Sequence, residues 1–167
     1  MKILETERTI LREVIEADAA FVLDLLNQSS FIRYIGDRNV RTVEQAREYI
    51  ESRFTESYKN FGFGMWAVQL KETGESIGIC GFVKRDGLPN ADIGFALLPQ
   101  FERKGYAFES ASAAINYGKN ALHLSRILAI TSTDNLASQR LLEKIGLRFE
   151  RLISLPNDSE KLKLFSS

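Results

Sequence analysis

An apolar run that ends at Pro99 is followed by Arg103-Lys104-Gly105-Tyr106-Ala107 and then by small residues at helical spacing. The first backbone N–H groups of a helix have no partners within it and carry its partial positive charge. A helix that begins near Gly105 therefore offers donors to an anion, above all a phosphate. Gly105 has no Cβ, so backbone can approach a ligand closely, and Ala107 keeps the next turn lean. Arg103 and Lys104 add positive charge at the mouth. On their own, the same residues also describe an ordinary loop in which a glycine turns the chain and two cations are solvated. A second constellation stands at Asn135 and Ser138. Three apart at the start of a helix, they lie on one face, with Leu141, Leu142 and Ile145 on its apolar side and Gly146 closing it.

Other chemistries are poorly served. One cysteine, Cys80, and one histidine, His123, cannot assemble a His/Cys zinc site within one chain or form an intramolecular disulfide. His123, past the end of a helix, reads as a surface residue, and Cys80, mid-strand, as a buried inert thiol. The run Gly62-Phe63-Gly64-Met65-Trp66-Ala67 has the spacing of a dinucleotide-binding turn. It precedes a strand, whereas that turn needs a strand before it and a helix after it.

The elements that must carry these residues follow from periodicity. Residues 8–14 alternate as a half-buried strand does. Residues 16–28 have helical spacing with Asp18 as the expected N-cap, and 42–54 opens with Thr42 and Gln45 in capping-box spacing. Segments 63–70, 75–85 and 90–99 read as strands joined by turn-rich links, an antiparallel meander. A helix at 104–121, a strand at 125–133, a helix at 135–146 and a closing hairpin complete the order. One strand–helix–strand crossover after a meander implies a mixed α/β (α+β) sheet.

The chain has 167 residues, 44% of them apolar, with Lys+Arg and Asp+Glu equal at 22. One domain spanning 1–167 is expected. Zero net charge argues against nucleic acid or anionic membrane as a bulk electrostatic partner. No apolar run approaches a transmembrane span, and the opening residues have no signal-peptide pattern, so a cytoplasmic protein is expected.

Three stretches together resemble the GNAT superfamily of acetyl-CoA-dependent N-acetyltransferases, in its RimJ/RimL-like branch of ribosomal-protein N-terminal acetyltransferases. They are TERTILREVIEADAAFVLDLL, IGFALLPQFERKGYAFESA and NLASQRLLEKIGLRFE. The resemblance implies a largely antiparallel sheet with helices on both faces and strand 91–98 splayed from strand 125–133. It implies that backbone N–H groups of Arg103, Lys104, Gly105, Tyr106 and Ala107 cradle the pyrophosphate of coenzyme A. It further implies that Phe95, Ala96 and Leu97 pair with the pantetheine arm, as an added strand would, and that Asn135 bonds the arm from across the slot.

The implied reaction is direct acetyl transfer from acetyl-CoA to a primary amine in a ternary complex, with no metal. The acceptor is either a protein N-terminus or a small-molecule amine, and a homodimer is allowed. The family's general-acid tyrosine is replaced here by Leu142. Ser138 is therefore the candidate partner of the sulfur, and Asp92, at a position often acidic in the branch, the candidate water-mediated base. Glu102 and Arg103 stand where the branch commonly has Arg or Gln and Gly. Arg33, Tyr34, Arg38 and Trp66 are candidate acceptor contacts. The missing tyrosine keeps open a rival reading, a non-catalytic coenzyme A-binding sensor or interaction module.

Overall fold

The computed structural model describes residues 1–167. Its N-terminal hairpin pairs β1 (Lys2–Glu5) with β2 (Thr9–Glu13). The sequence did not predict β1, because four residues are too few to display a two-residue period. The segment expected as one helix over 16–28 enters through a 3-10 turn at Glu16–Asp18 and continues as α1 (Ala19–Leu26). Asp18 does not cap α1 with its side chain. The turn has moved the true helix entry back to Ile15, so the Asp18 carboxylate accepts from the Ile15 N–H (2.8 Å) and from both ends of the Arg12 guanidinium (2.8 Å each).

A short helix not predicted from sequence, α2 (Ser29–Tyr34), follows; its one buried residue, Phe31, leaves no periodic signal. The next predicted helix is longer than expected. It runs as α3 (Val43–Tyr49), a π-helical stretch (Ile50–Thr55) and α4 (Glu56–Phe61), closed by Gly62 at φ 75°. Thr42 caps α3 by accepting from the Gln45 N–H (3.1 Å), while the Gln45 side chain reaches past Thr42 to the Arg41 N–H (2.7 Å).

The meander is as expected. β3 (Met65–Leu70), β4 (Ser76–Val83) and β5 (Asp92–Leu97) pair antiparallel in succession. Helix α5 (Tyr106–Asn120) crosses to β6 (Leu128–Ser132), which runs parallel to β5. Helix α6 (Leu136–Lys144) and the hairpin β7 (Arg148–Ile153) and β8 (Leu162–Ser166) finish the chain. The sheet order is β1-β2-β3-β4-β5-β6-β8-β7, so β8 lies between β6 and β7.

Strand alternation sends side chains to two cores. Trp66, Val68, Cys80, Phe82 and Ile93 face α5, which contributes Ala111, Ala114 and Ile115. Ala67, Ile79, Ala96 and Leu98 face α1 to α4 and meet Val22, Leu26, Phe31, Ala46 and Phe54. On that second face a separate apolar cluster, Leu88, Leu128 and Leu164 with Ile130 and Leu155, lies beneath the hairpin end of the sheet. α5 sits low on β4 because Gly118 has no side chain; a Cβ there would fall 2.7 Å from the Phe82 ring. No helix is long and apolar enough to cross a membrane.

Candidate active site

The slot is built by a ladder that stops. Asp92 and Leu128 are paired, with the Leu128 N–H donating to Ala91 O (3.0 Å), and no pair follows toward the C-terminal ends of β5 and β6. Which β5 peptides face the opening is fixed by parity. The Leu98 N–H donates to Ile77 O (2.8 Å), so the even-numbered residues of β5 turn their peptide groups to β4. Phe95 and Leu97 therefore turn theirs to the slot. Ala96 does not: its backbone belongs to the β4 ladder opposite Ile79, and only its small side chain lines the face beside Gly94. The expectation of three successive slot-facing peptides is corrected to two alternate ones, because strand hydrogen-bonding has a period of two.

Beyond β5, a 3-10 turn at Pro99–Phe101 leads into the loop that precedes α5. Arg103 (φ 62°) and Gly105 (φ 85°) both adopt the left-handed conformation around Lys104. The peptide N–H groups from Arg103 through Phe108 have no acceptor within the chain; the first donation of the helix is Glu109 N–H to Gly105 O (3.0 Å). Consecutive donors at a left-handed bend, continuous with a helix N-terminus, form an anion-binding concavity. Arg103, Lys104 and Gly105 are exposed, and Tyr106 and Ala107 half-buried. The loop predicted from sequence is thus brought together as a unit.

The opposite wall is the turn from β6 into α6. Asn135 caps α6, its Oδ1 accepting from the Ser138 N–H (3.2 Å), which leaves its amide NH2 without a protein acceptor. The Ser138 hydroxyl is half-buried and also has no protein partner. Leu142, one turn on from Ser138, is buried in the core beneath α5. Sequence reasoning missed Gln139, which is buried and donates to Ser132 O (3.1 Å) and Thr133 O (3.0 Å) while accepting from Lys163 (3.0 Å). It pins the turn that presents Asn135. Its position inside the matched NLASQRLLEK stretch was the one signal for it.

Helix α2 closes over the mouth of this wall. Ser132 Oγ donates to Tyr34 O (3.1 Å), and Arg33 pairs with Asp134 (3.3 Å). Arg33 also lies over the Tyr34 ring, 4.8 Å from its centroid. Arg33 and Tyr34 therefore stand beside the slot; Arg38 is exposed on the loop after α2. Trp66 does not. It is 1% exposed and packs edge-on against Phe82 and Tyr117 under α5, so β3 directs it to the core opposite the acceptor face.

Asp92 lies at the closed end of the slot, 1% exposed, with both carboxylate oxygens on Arg85 Nε (3.0 and 3.1 Å). Burial pushes its pKa up to about 6, against the pull of Arg85. Cys80 is buried, and burial pushes its thiol up to about 12, which leaves it unreactive. No group of three or more His, Cys, Asp or Glu side chains is placed to hold a metal ion.

The mixed sheet splayed at its one parallel pair, with a donor loop at the head of the crossover helix, has the architecture of an acetyltransferase domain. Residues 8–148 match the acetyltransferase (GNAT) domain family, and the chain belongs to it. It is 37% identical to the uncharacterized N-acetyltransferase YoaA of Bacillus subtilis over 90% of this chain and 85% of that protein. It is 31% identical to the [ribosomal protein uS5]-alanine N-acetyltransferase of Escherichia coli over 64% of this chain and 54% of that enzyme. The fold superimposes with a TM-score of 0.85 on RimL, a ribosomal L7/L12 α-N-protein acetyltransferase in complex with coenzyme A, at 17% identity, covering all of this chain and 97% of that one. The chain is an N-acetyltransferase of this family.

Proposed function

We propose that the protein transfers an acetyl group from acetyl-CoA to the α-amine of a polypeptide N-terminus, by direct attack in a ternary complex. The observation that carries this reading is the run of unpartnered N–H groups from Arg103 to Phe108 at the open end of the slot. Those donors suit a pyrophosphate, with Arg103 and Lys104 adding charge. The slot-facing peptides of Phe95 and Leu97 suit the amides of a pantetheine arm, and the free Asn135 NH2 suits the arm's carbonyls. Bound there, acetyl-CoA supplies a thioester carbonyl and a thiolate leaving group.

The side chains around the slot favour an α-amine. The carboxylate at its closed end, Asp92, is already engaged by Arg85. An α-amine has a pKa of about 7.7–8.0 and is substantially neutral near pH 7.5, whereas a lysine or polyamine near 10.4 needs a stronger base. The uS5-alanine relative points to the same acceptor class. A slot-facing N–H on β5 polarises the carbonyl, and the Ser138 hydroxyl donates toward the departing sulfur. The proton released from the attacking amine passes to solvent water, since Asp92 is buried and held by Arg85.

The test is thiol release from acetyl-CoA with peptides bearing free or blocked α-amines and with a polyamine, the products checked by mass spectrometry. Release with free α-amines alone supports the proposal. Release with the polyamine alone replaces the acceptor, and binding of acetyl-CoA without release under any amine favours the non-catalytic reading. Ser138→Ala is expected to lower kcat about tenfold with little change in KM.

A further inference from the structure

We infer that the β1–β2 turn, through Arg8 and Glu109, is a positioning device that aims the peptide donors of the loop before α5; this rests on the coenzyme A reading above. Arg8 lies in the turn and is more than a hundred residues from Glu109 in sequence, yet the two are tightly laced. Arg8 Nε donates to Glu109 Oε1 (2.8 Å), the Arg8 backbone N–H donates to Glu109 Oε2 (2.9 Å), and the Thr6 hydroxyl donates to the same oxygen. Thr9 adds a hydroxyl contact to Ser110 (3.4 Å). So held, Arg8 extends Nη1 to Lys104 O (3.0 Å) and lays its guanidinium over the Tyr106 ring, 4.3 Å from the centroid.

The consequence follows from peptide planarity. In a trans peptide the carbonyl and the following N–H point in opposite directions. With Lys104 C=O drawn to Arg8, the Gly105 N–H points away from the β1–β2 turn, on the side where a ligand must lie. The bond matters here because the peptide it holds stands between two left-handed residues, Arg103 and Gly105. Gly105, with no Cβ, lets ψ of Lys104 and φ of Gly105 change together at little steric cost, so without an anchor the Lys104–Gly105 peptide is free to turn over and present its carbonyl to an anion. The same arrangement gives Gly105 a second reason to be glycine: a Cβ there would stand 3.1 Å from Arg8 Nη2. Glu109 supplies the negative charge that fixes Arg8. Its own carboxyl, which burial alone would raise, is held below the usual range by Thr6 and Arg8.

Arg8 is thus a positioning residue whose effect is confined to the pyrophosphate end of the donor. The experiment compares wild type, Arg8→Met and Arg8→Lys for their Kd toward acetyl-CoA and toward S-acetyl-pantetheine, which has the arm and thioester but no pyrophosphate. Arg8→Met is expected to weaken acetyl-CoA about tenfold and S-acetyl-pantetheine less than twofold. Arg8→Lys, whose single ammonium cannot hold Glu109 and Lys104 O together, is expected to fall between and decides the matter if the methionine variant does not fold. Equal weakening toward both ligands, or none toward either, overturns the inference. Failure of the wild type to bind acetyl-CoA overturns instead the cofactor reading on which it rests.

Discussion

Asp92 and Leu128 form the one rung shared by β5 and β6, and the Asp92 carboxylate is buried at that rung against Arg85. Its position sets a pH dependence. Burial raises the pKa from 3.8 to about 6 despite Arg85, so between these values the folded protein holds a proton that the unfolded chain has lost. Stability from this group is therefore full below about 4 and is lost as pH rises through about 6. The shift corresponds to about 3 kcal/mol. Asp92→Asn has no such titration, so its stability relative to wild type should improve by about that amount from pH 4 to pH 7 in paired denaturant melts. A constant difference across this range would show that the carboxylate titrates normally.

Arg103 holds the left-handed conformation at φ 62° where glycine would hold it without strain. Arg103→Gly should relieve about 1–2 kcal/mol of backbone strain, offset in part by the extra freedom glycine gives the unfolded chain. A net gain of ~0.5–1 kcal/mol is expected. The same change removes a cation from the mouth of the donor loop, so KM for acetyl-CoA should rise a few-fold, more at low salt than at high salt. Melting and initial-rate measurements on one variant should therefore move in opposite senses. A loss of stability would mean that the Arg103 side chain contributes more than its conformation costs.

Much of this architecture is legible in the sequence because period and turn chemistry act locally. The meander, the crossover helix, the Gly105 bend and the Asn135 cap all declare themselves within a dozen residues. What is hidden depends on distant partners. Ala96 looks as exposed as Phe95 and Leu97 until the Leu98–Ile77 bond fixes the parity of β5. Trp66 resembles an acceptor contact until β3 turns it toward Tyr117. Arg8 gives no sign of its role, since Glu109 and Lys104 reach it only through the fold.

Arg12, in the same N-terminal stretch, has a purely structural part. Its guanidinium grips Asp18 with two 2.8 Å bonds while also donating to Glu13 O (2.9 Å). Burial would raise the Asp18 pKa, but Arg12 and the Ile15 N–H bring it below the usual carboxylate range. Its contribution is therefore present above about pH 4 and is lost as pH falls below that. Asp18→Ala strands a largely buried guanidinium and should cost about 3 kcal/mol at pH 7. The deficit should be smaller at pH 3, below the unfolded value of 3.8, where the unfolded chain takes up a proton that the folded pair disfavours. A melt showing the same deficit at both pH values would assign the loss to packing alone.

Leu142 stands where the resemblance to the family implies a general-acid tyrosine, and the fold closes that position off. The side chain is 1% exposed, in the core shared with α5. Restoring the family residue as Leu142→Tyr would push a phenol into a filled site, at a cost of about 1–3 kcal/mol from overpacking. It should leave kcat unimproved, because a hydroxyl directed into the core cannot reach a thiolate in the slot. Leu142→Ala should cost about 2–5 kcal/mol through the cavity it opens, again with kcat per folded molecule nearly unchanged. Thermal melts and rates normalised to folded protein separate the two effects. A rise in kcat for Leu142→Tyr would mean that α6 can rotate the position into the slot and that a hydroxyl placed there can serve the departing sulfur.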